Sequence, residues 1–589
     1  MSAATENFAN ALNAARSAEI DKLARQRLKS QSSANVEANS AALYELVAPH
    51  VESFNWMFEE GGLDLCVRNL PKITITPPPE SGQPTAQMYI SNVVIGKPNF
   101  TQGGDNRILL PHMAREMRTT YDAPLTIFYE KKVGEGAWES GSRIVGRVPI
   151  MVRSVKCHLH GLSRAELVKN KEEAGEWGGY FIVNGNERLV RLLIMPRRNH
   201  IFAVERSAFT KRGPEYTKFG TTIRCVRNDQ SALTVTVHYL ETGSLNVRFV
   251  HRKQEFFIPA VLVLKALTGM TDREIYEKIT QNDPEAAFIS ERAELMIREA
   301  KTLKLRSRSD VLAYLGRHFR AVTGAEPTES DRAVGERLID EHIFIHIPDV
   351  LGPDATPETI NRAKADLLIT MIHRTFLLVQ DKIKPDDMDA MSSHECLLPG
   401  YLYAMILKEN LAEWLYLIRS RIMRDLRTSQ KRARLTDPAY WKKLVESSVD
   451  VGRKLKYFIT TGNLVSRSGL DLMQVSGYTI GAEKLNYYRY LSHFRSIHRG
   501  QFFTTMKTTS VRKLLPESWG FLCPVHTPDG SPCGLLNHLT APCRILTRFC
   551  RVPHKDIVSL LSSLGMVDPR LPATHGSLPV LLDGVLVGR

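Results

Sequence analysis

Cysteine is scarce in this 589-residue chain. Eight occur, Cys66, Cys157, Cys225, Cys396, Cys523, Cys533, Cys543 and Cys550, and the first four are too scattered to frame disulfides. That excludes a small disulfide-stapled secreted domain and suits a reducing compartment. Long apolar runs are missing too: no stretch approaches the roughly 20 uninterrupted apolar residues of a membrane span, and no short apolar block follows a basic start as in a secretory signal. The Ala- and Ser-rich start carries Arg16, Lys22, Arg25 and Arg27, but Glu6, Glu19 and Asp21 interrupt it, unlike a transit peptide. Residues 1–40 therefore read as a solvated, flexible N-terminus, and the whole as a soluble intracellular protein with no membrane partner. No period of about 20 to 50 residues recurs, which argues against a repeat architecture. No compact aspartate motif supplies the carboxylate cluster that two-metal phosphoryl transfer needs.

What is present is the make-up of a large globular protein, 43% hydrophobic and 24% charged, too long for one core. Lysine and arginine total 78 against 63 acids, a net charge of +15 with a pI near 9.3. Such a field attracts polyanions, whether nucleic acid, acidic protein or anionic lipid.

Along the chain the apolar period changes several times. Leu43, Leu46, Val47, Val51, Phe54, Met57 and Phe58 fall at helical spacing before Gly61 and Gly62, predicting a buried amphipathic helix over 42–60. Short β-type runs between Pro- and Gly-rich turns follow from Lys72 to Lys156. Asn184-Gly185 between two apolar runs predicts a tight hairpin, and strand-like runs continue to Pro259, where helical periodicity takes over. The helical block contains the capping box Thr271-Asp272-Arg273-Glu274 and a long amphipathic run from Glu358 to Ile383. A further helix, about Tyr401 to Arg424, runs into the basic cluster Arg419, Arg421, Arg424, Arg427, Lys431, Arg432 and Arg434, which is either nucleic-acid-facing or a polar linker. At the end, Asp583-Gly584 turns between two strand-like runs, as if a domain were cut in its first hairpin. The fold class expected is α+β multidomain: mixed sheets, then a lobe that is first β and then mainly α.

The richest stretch has no acid at all from Lys484 to Pro516, while Lys484, Arg489, Arg495, Arg499, Lys507, Arg512 and Lys513 gather there. Tyr487, Tyr488, Tyr490, Phe494, Phe502, Phe503, His493 and His498 are interleaved with them. Cations neutralise phosphates and aromatic faces stack on unpaired bases, although a basic surface over an aromatic core gives the same pattern. Next, Trp519 to Leu539 holds a Pro- and Gly-rich loop with Pro528-Asp529-Gly530 as a β-turn. Cys523, His526, Cys533 and His538 imitate zinc ligands, but the pairs lack finger spacing and read as ordinary thiols and imidazoles, so no metal is assigned.

Leu491-Ser492-His493-Phe494-Arg495, then Leu514 to Gly520, then Cys523-Pro524-Val525-His526-Thr527-Pro528-Asp529-Gly530 resemble the fork of the second-largest subunits of multisubunit RNA polymerases. Gly146 to Val152 and Gly178 to Gly185 resemble the protrusion of the same family, so the likeness spans about Ala42 to Arg548. His526 and Asp529 stand where most members have glutamates, and with Ile194 to Asn199 and Lys211 to Tyr216 this resembles the RNA polymerase I branch.

The resemblance implies an order of parts: protrusion over 41–185 and again over 366–455, lobe over 186–365, fork over 456–570, and the start of a truncated external domain over 571–589. It implies a DNA-directed RNA polymerase subunit, nuclear and nucleolar, forming one side of the DNA cleft during ribosomal RNA synthesis. The largest subunit, smaller subunits, template DNA and the RNA–DNA hybrid would be its partners. Arg495, His498, Arg499, Lys507, Arg512 and Lys513 would face nucleic acid. Asp529 and Ser531 would sit at a nucleotide-proximal turn, positioning basic groups by hydrogen bonds. The resemblance places the family's metal-binding aspartates in the largest subunit, and its acidic pair, hybrid-contacting lysines and zinc module beyond Arg589. This chain is then expected to hold no catalytic residue and no cofactor of its own, Mg2+ belonging to the assembled enzyme, and to be inactive alone. Glu187, Arg188, Arg197 and Arg198 could be a DNA-facing edge or a solvated face. A stand-alone basic nucleic-acid-binding or scaffold protein remains the alternative.

Overall fold

A computed structural model describes residues 33–589 apart from 103–104, 282–285, 306, 327, 429–433, 507–508, 548–551, 570 and 572–576. The β-type runs after Lys72 pair as a four-stranded antiparallel sheet in the order Ile73–Ile75, Ala86–Ile95, Asp122–Val133, Glu139–Pro149. In Ala86–Ile95 the buried residues are Ala86, Met88 and Ile90, then Val93 and Ile95. The parity switch is a β-bulge between Ile90 and Asn92, which returns the apolar set to the core face.

Two long helices, Ser33–Glu59 and Pro399–Thr428, cross beside this sheet. A Cβ at Gly400 would lie 2.1 Å from the Ser53 carbonyl, so glycine permits the crossing, and the Gly400 N–H donates to Ser53 Oγ at 3.1 Å. Phe54 meets Tyr403 and Phe181 edge-on, at 5.1 and 5.8 Å between ring centroids. The predicted hairpin is present: Asn184 and Gly185 turn at φ 50° and 78° between Phe181–Val183 and Asn186–Val190.

A second core follows. Five antiparallel strands run in sequence order from Ile201–Glu205 through Tyr216–Val226, Ala232–Leu240 and Leu245–His251 to Gln254–Pro259. Helices from Ala260–Leu267 to Pro357–Val379 then pack on them. Pro259 marks the change as predicted, and Thr271 and Glu274 form the reciprocal capping box. The multidomain α+β class is therefore observed.

The buried apolar residues gather in two main cores. The first gathers residues from 47–195 and 397–522, the second from 201–376. Strands Asn186–Val190 and Leu192–Pro196 pair with segments of the first core, and helix Pro357–Val379 places Ile369, Ile372 and Phe376 in the second. The terminal hairpin, Val580–Leu582 and Val585–Gly588 around Asp583-Gly584, seats Val585 in that second core.

The cores meet at a buried acid. The fully buried Asp229 carboxylate accepts from Lys408 Nζ at 2.5 Å, Asn69 Nδ2 at 2.7 Å and the Ser231 N–H at 2.9 Å. Burial pushes its pKa up, but Lys408 and the surrounding donors outweigh burial and hold it below the usual carboxylate range. Replacing Asp229 by Ala strands a mostly buried ammonium. Asp229→Ala is expected to lower unfolding free energy by about 3 kcal/mol in urea titration, and to expose the 201–379 unit to limited proteolysis.

Candidate nucleic-acid interface

The acid-free window folds as a helix, Tyr487–Arg495, a strand, Ser496–His498, and three short 3-10 turns. Asn486 caps the helix, its side chain accepting from the Arg489 N–H at 2.7 Å. Helical spacing turns Tyr490, His493 and Phe494 inward. Tyr490 stacks on Trp177 at 5.8 Å and Phe494 meets His50 edge-on at 5.2 Å. Tyr487 and Tyr488 stay outside, 73% and 87% exposed. The aromatics thus split between core and surface.

Strand Ser496–His498 is internal to a four-stranded sheet. Leu192–Pro196 runs parallel on one side and Leu536–His538 antiparallel on the other, with His394–Leu397 at the edge. This placement turns inward three of the residues expected to face nucleic acid. Arg495 is buried, and its Nη2 donates to the carbonyls of Thr540 at 2.5 Å and Cys543 at 2.8 Å. His498 is buried, and its Nδ1 accepts from the Gly500 N–H at 2.8 Å. Burial, and then the nearby Arg191 charge, push its pKa down to about 4. Arg499, a tenth exposed, pairs with Asp389 and lies 5.1 Å over the Phe503 ring. All three staple the interior.

Arg512 is half-buried. Its Nη1 donates to the Ser531 carbonyl at 2.6 Å and the Cys533 carbonyl at 2.8 Å. Gly534 packs so closely beneath it that a Cβ would lie 2.3 Å from the Arg512 carbonyl, at φ +73°. Thr527 Oγ1 accepts from the Gly534 N–H at 3.1 Å and donates to the Leu536 carbonyl at 2.9 Å. The loop 527–534 is therefore closed at its base, with Asp529 and Ser531 exposed at its tip and Gly530 at φ +80°. The Ser531 main-chain carbonyl, rather than its side chain, engages the basic group. Lys513 is exposed, and among the described residues no carboxylate pairs with it; Lys507 lies outside the described residues.

Counter-charges reach the window from elsewhere. Glu187 accepts from Lys484 at 3.0 Å and from Arg115 at 2.8 Å, and Glu483 pairs with Arg489 at 3.0 Å. Glu187 is thus held between two cations and largely covered. Arg198 is tied to Glu395 at 2.9 Å, Arg188 is half-buried and Arg197 is exposed. In the other basic cluster Arg419 bonds the Thr74 carbonyl at 3.1 Å and pairs with Glu326, and Arg421 bonds Ser447 Oγ at 2.6 Å. Arg424, Arg427 and Arg434 are exposed, while Lys431 and Arg432 lie outside the described residues.

His526 and His538 stack face to face at 3.4 Å, and His538 Nδ1 lies 3.1 Å from the His526 carbonyl. Among the described residues no group of three or more His, Cys, Asp or Glu side chains is placed to hold a metal.

Exposed in and after the window are Lys513 and the rings of Tyr487, Tyr488, Phe502, Trp519 and Phe521, the last two 77% and 50% exposed. Sequence reasoning passed over Trp519. Its signal was a tryptophan set between Pro516 and Gly520 in a turn-forming segment.

Two family models match the chain: "RNA polymerase beta subunit" over residues 45–449 and "RNA polymerase Rpb2, domain 3" over 480–545. Among curated relatives, it is 44% identical over 559 residues to the probable DNA-directed RNA polymerase I subunit RPA2 of Schizosaccharomyces pombe, covering 93% of this chain and 46% of that protein. It is 42% identical to DNA-directed RNA polymerase I subunit RPA135 of Saccharomyces cerevisiae, covering 93% and 46%, and 39% identical to the Homo sapiens RPA2, covering 94% and 47%. The chain spans about half the length of these relatives.

His498 and His538 occupy adjacent strands, and burial first lowers each pKa to about 4. Both are neutral when folded and protonate near pH 6.5 when unfolded. Their contribution to stability is whole above about pH 6.5 and falls away as the pH drops from there through about 4. Urea midpoints measured from pH 7 to 4.5 are expected to fall less steeply for a His498→Gln/His538→Gln variant than for the unaltered chain.

Proposed function

Because the chain belongs to the RNA polymerase beta subunit family, in its RNA polymerase I branch, we propose that it forms one side of the DNA cleft of a DNA-directed RNA polymerase making ribosomal RNA. The family match over 45–449 and 480–545 carries this reading. The surface left after the interior cations are discounted supports it: an exposed Lys513 with no carboxylate partner among the described residues, together with the exposed rings of Tyr488 and Trp519, suits opened strands better than closed duplex.

Lys513 contributes charge to a phosphate, which sets register and carries no base information. Trp519 and Tyr488 offer faces for unpaired bases. Arg512 acts at one remove, holding the loop whose tip presents Asp529 and Ser531. Mg2+ would be held in the assembled enzyme by residues outside this chain. The largest polymerase subunit, smaller subunits, template DNA and the RNA–DNA hybrid are the proposed partners, and the nucleus and nucleolus the proposed location. The chain binds and orients; it is proposed to polymerise nothing alone.

Fluorescence anisotropy with labelled DNA tests this. Bubble-containing DNA is expected to bind more tightly than duplex, with affinity falling steeply as salt rises. Lys513→Ala should reduce the salt slope by about one, and Trp519→Ala should cost the bubble about 1 kcal/mol or more. Arg495→Ala should instead lower the melting temperature. Equal, salt-independent affinity for bubble and duplex would overturn the placement.

A further inference from the structure

One limb of the loop that presents Asp529 and Ser531 hangs on a single residue. Arg512 and Thr527 fasten the base at 527–534. Residues 523–526 lead into that base, and among the described residues two hydrogen bonds tie them to the sheet, both ending on His538. The Cys523 N–H donates to the His538 carbonyl at 2.8 Å, and His538 Nδ1 lies 3.1 Å from the His526 carbonyl. Inside the limb the His526 N–H donates to Cys523 Sγ at 3.4 Å, which curls the limb without anchoring it. Pro524 has no N–H to give, and Val525 is 82% exposed. The exposed His526 ring then lies flat on His538, with centroids 3.4 Å apart and planes within 4°.

His538 is suited to carry this limb. It closes strand Leu536–His538, paired to Ser496–His498 inside the four-stranded sheet, and is 6% exposed, so its backbone is fixed and its ring is held from below. A carbonyl can only accept, so Nδ1 bears the proton and donates to His526. Burial is the main reason the His538 pKa falls to about 4; the bond to the His526 carbonyl opposes the fall, and the charges of His526, Arg489 and His493 add to it. The ring is therefore neutral near pH 7, with one N–H, and that N–H is committed to the loop. Being covered, His538 acts through His526 and not on a ligand.

We propose that His538 is a positioning residue for the nucleotide-proximal turn, its Nδ1–H and ring face setting the course of residues 523–526 and thereby the place of Asp529 and Ser531. The geometry stands by itself; the task of the turn rests on the polymerase reading.

Three substitutions separate positioning from mere filling of the interior. His538→Asn keeps a donor near the place of Nδ1, His538→Gln carries it past the His526 carbonyl, and His538→Phe keeps a flat ring without a donor. Amide hydrogen exchange of residues 523–531 in the purified chain is expected to quicken about tenfold in His538→Gln and His538→Phe, and to return most of the way in His538→Asn. A residue that only fills space gives the reverse order, with Phe best and Asn worst. In polymerase assembled with the full-length subunit, Gln and Phe should raise KM for the incoming nucleotide by up to about tenfold with kcat little changed, and Asn should restore it. His526→Ala, at an exposed position, removes the stacked ring and should also quicken exchange, which keeps the test valid if the His538 variants fail to fold. Exchange in the reverse order, or unchanged in His526→Ala, overturns the positioning itself. Exchange in the expected order with an unchanged KM overturns the proposal through the polymerase reading on which the turn's task rests.

Discussion

The arrangement of the candidate site depends on one short strand having its backbone bonded on both sides. Ser496–His498 supplies three residues, yet its neighbours come from Leu192–Pro196 and Leu536–His538, with His394–Leu397 one strand further out. Buried N–H and C=O groups must be paired, so these distant segments lock together. Once the strand is internal, the side chains at and beside it are committed to the interior. Arg495 bonds carbonyls, His498 stays neutral, and Arg499 takes Asp389 from the connection between the two cores.

Charge then sorts by cost of burial rather than by sequence neighbourhood. The window from 484 to 516 contains no acid, but its cations recruit Glu187, Glu483 and Asp389. Exposed pairs of this sort contribute little stability. The buried ones matter more, because losing either partner strands a charge. The same logic joins the two cores through Asp229 and Lys408.

The loop 527–534 shows a related division of labour. Its exposed tip carries Asp529 and Ser531, while its geometry is set at the base by Arg512, Thr527 and the close approach of Gly534. A guanidinium bonded to two main-chain carbonyls holds whatever side chains the tip presents. The residue most readily read as a phosphate contact is here a brace for its neighbours.

Local rules carried the sequence a long way. The turn at Asn184-Gly185, the change to helix at Pro259, the capping box at Thr271 and the closing turn at Asp583-Gly584 depend on few consecutive residues and are all present. The motifs at 491–530 were sufficient to find the family. Which cations face outward was not legible, because a three-residue strand has too short a period to register and its partners lie hundreds of residues away. Tertiary structure alone decided that Arg495, His498 and Arg499 are interior and that Lys513 and Trp519 are exposed. Burial and charge compensation are properties of the assembled sheet, and no stretch of sequence contains them.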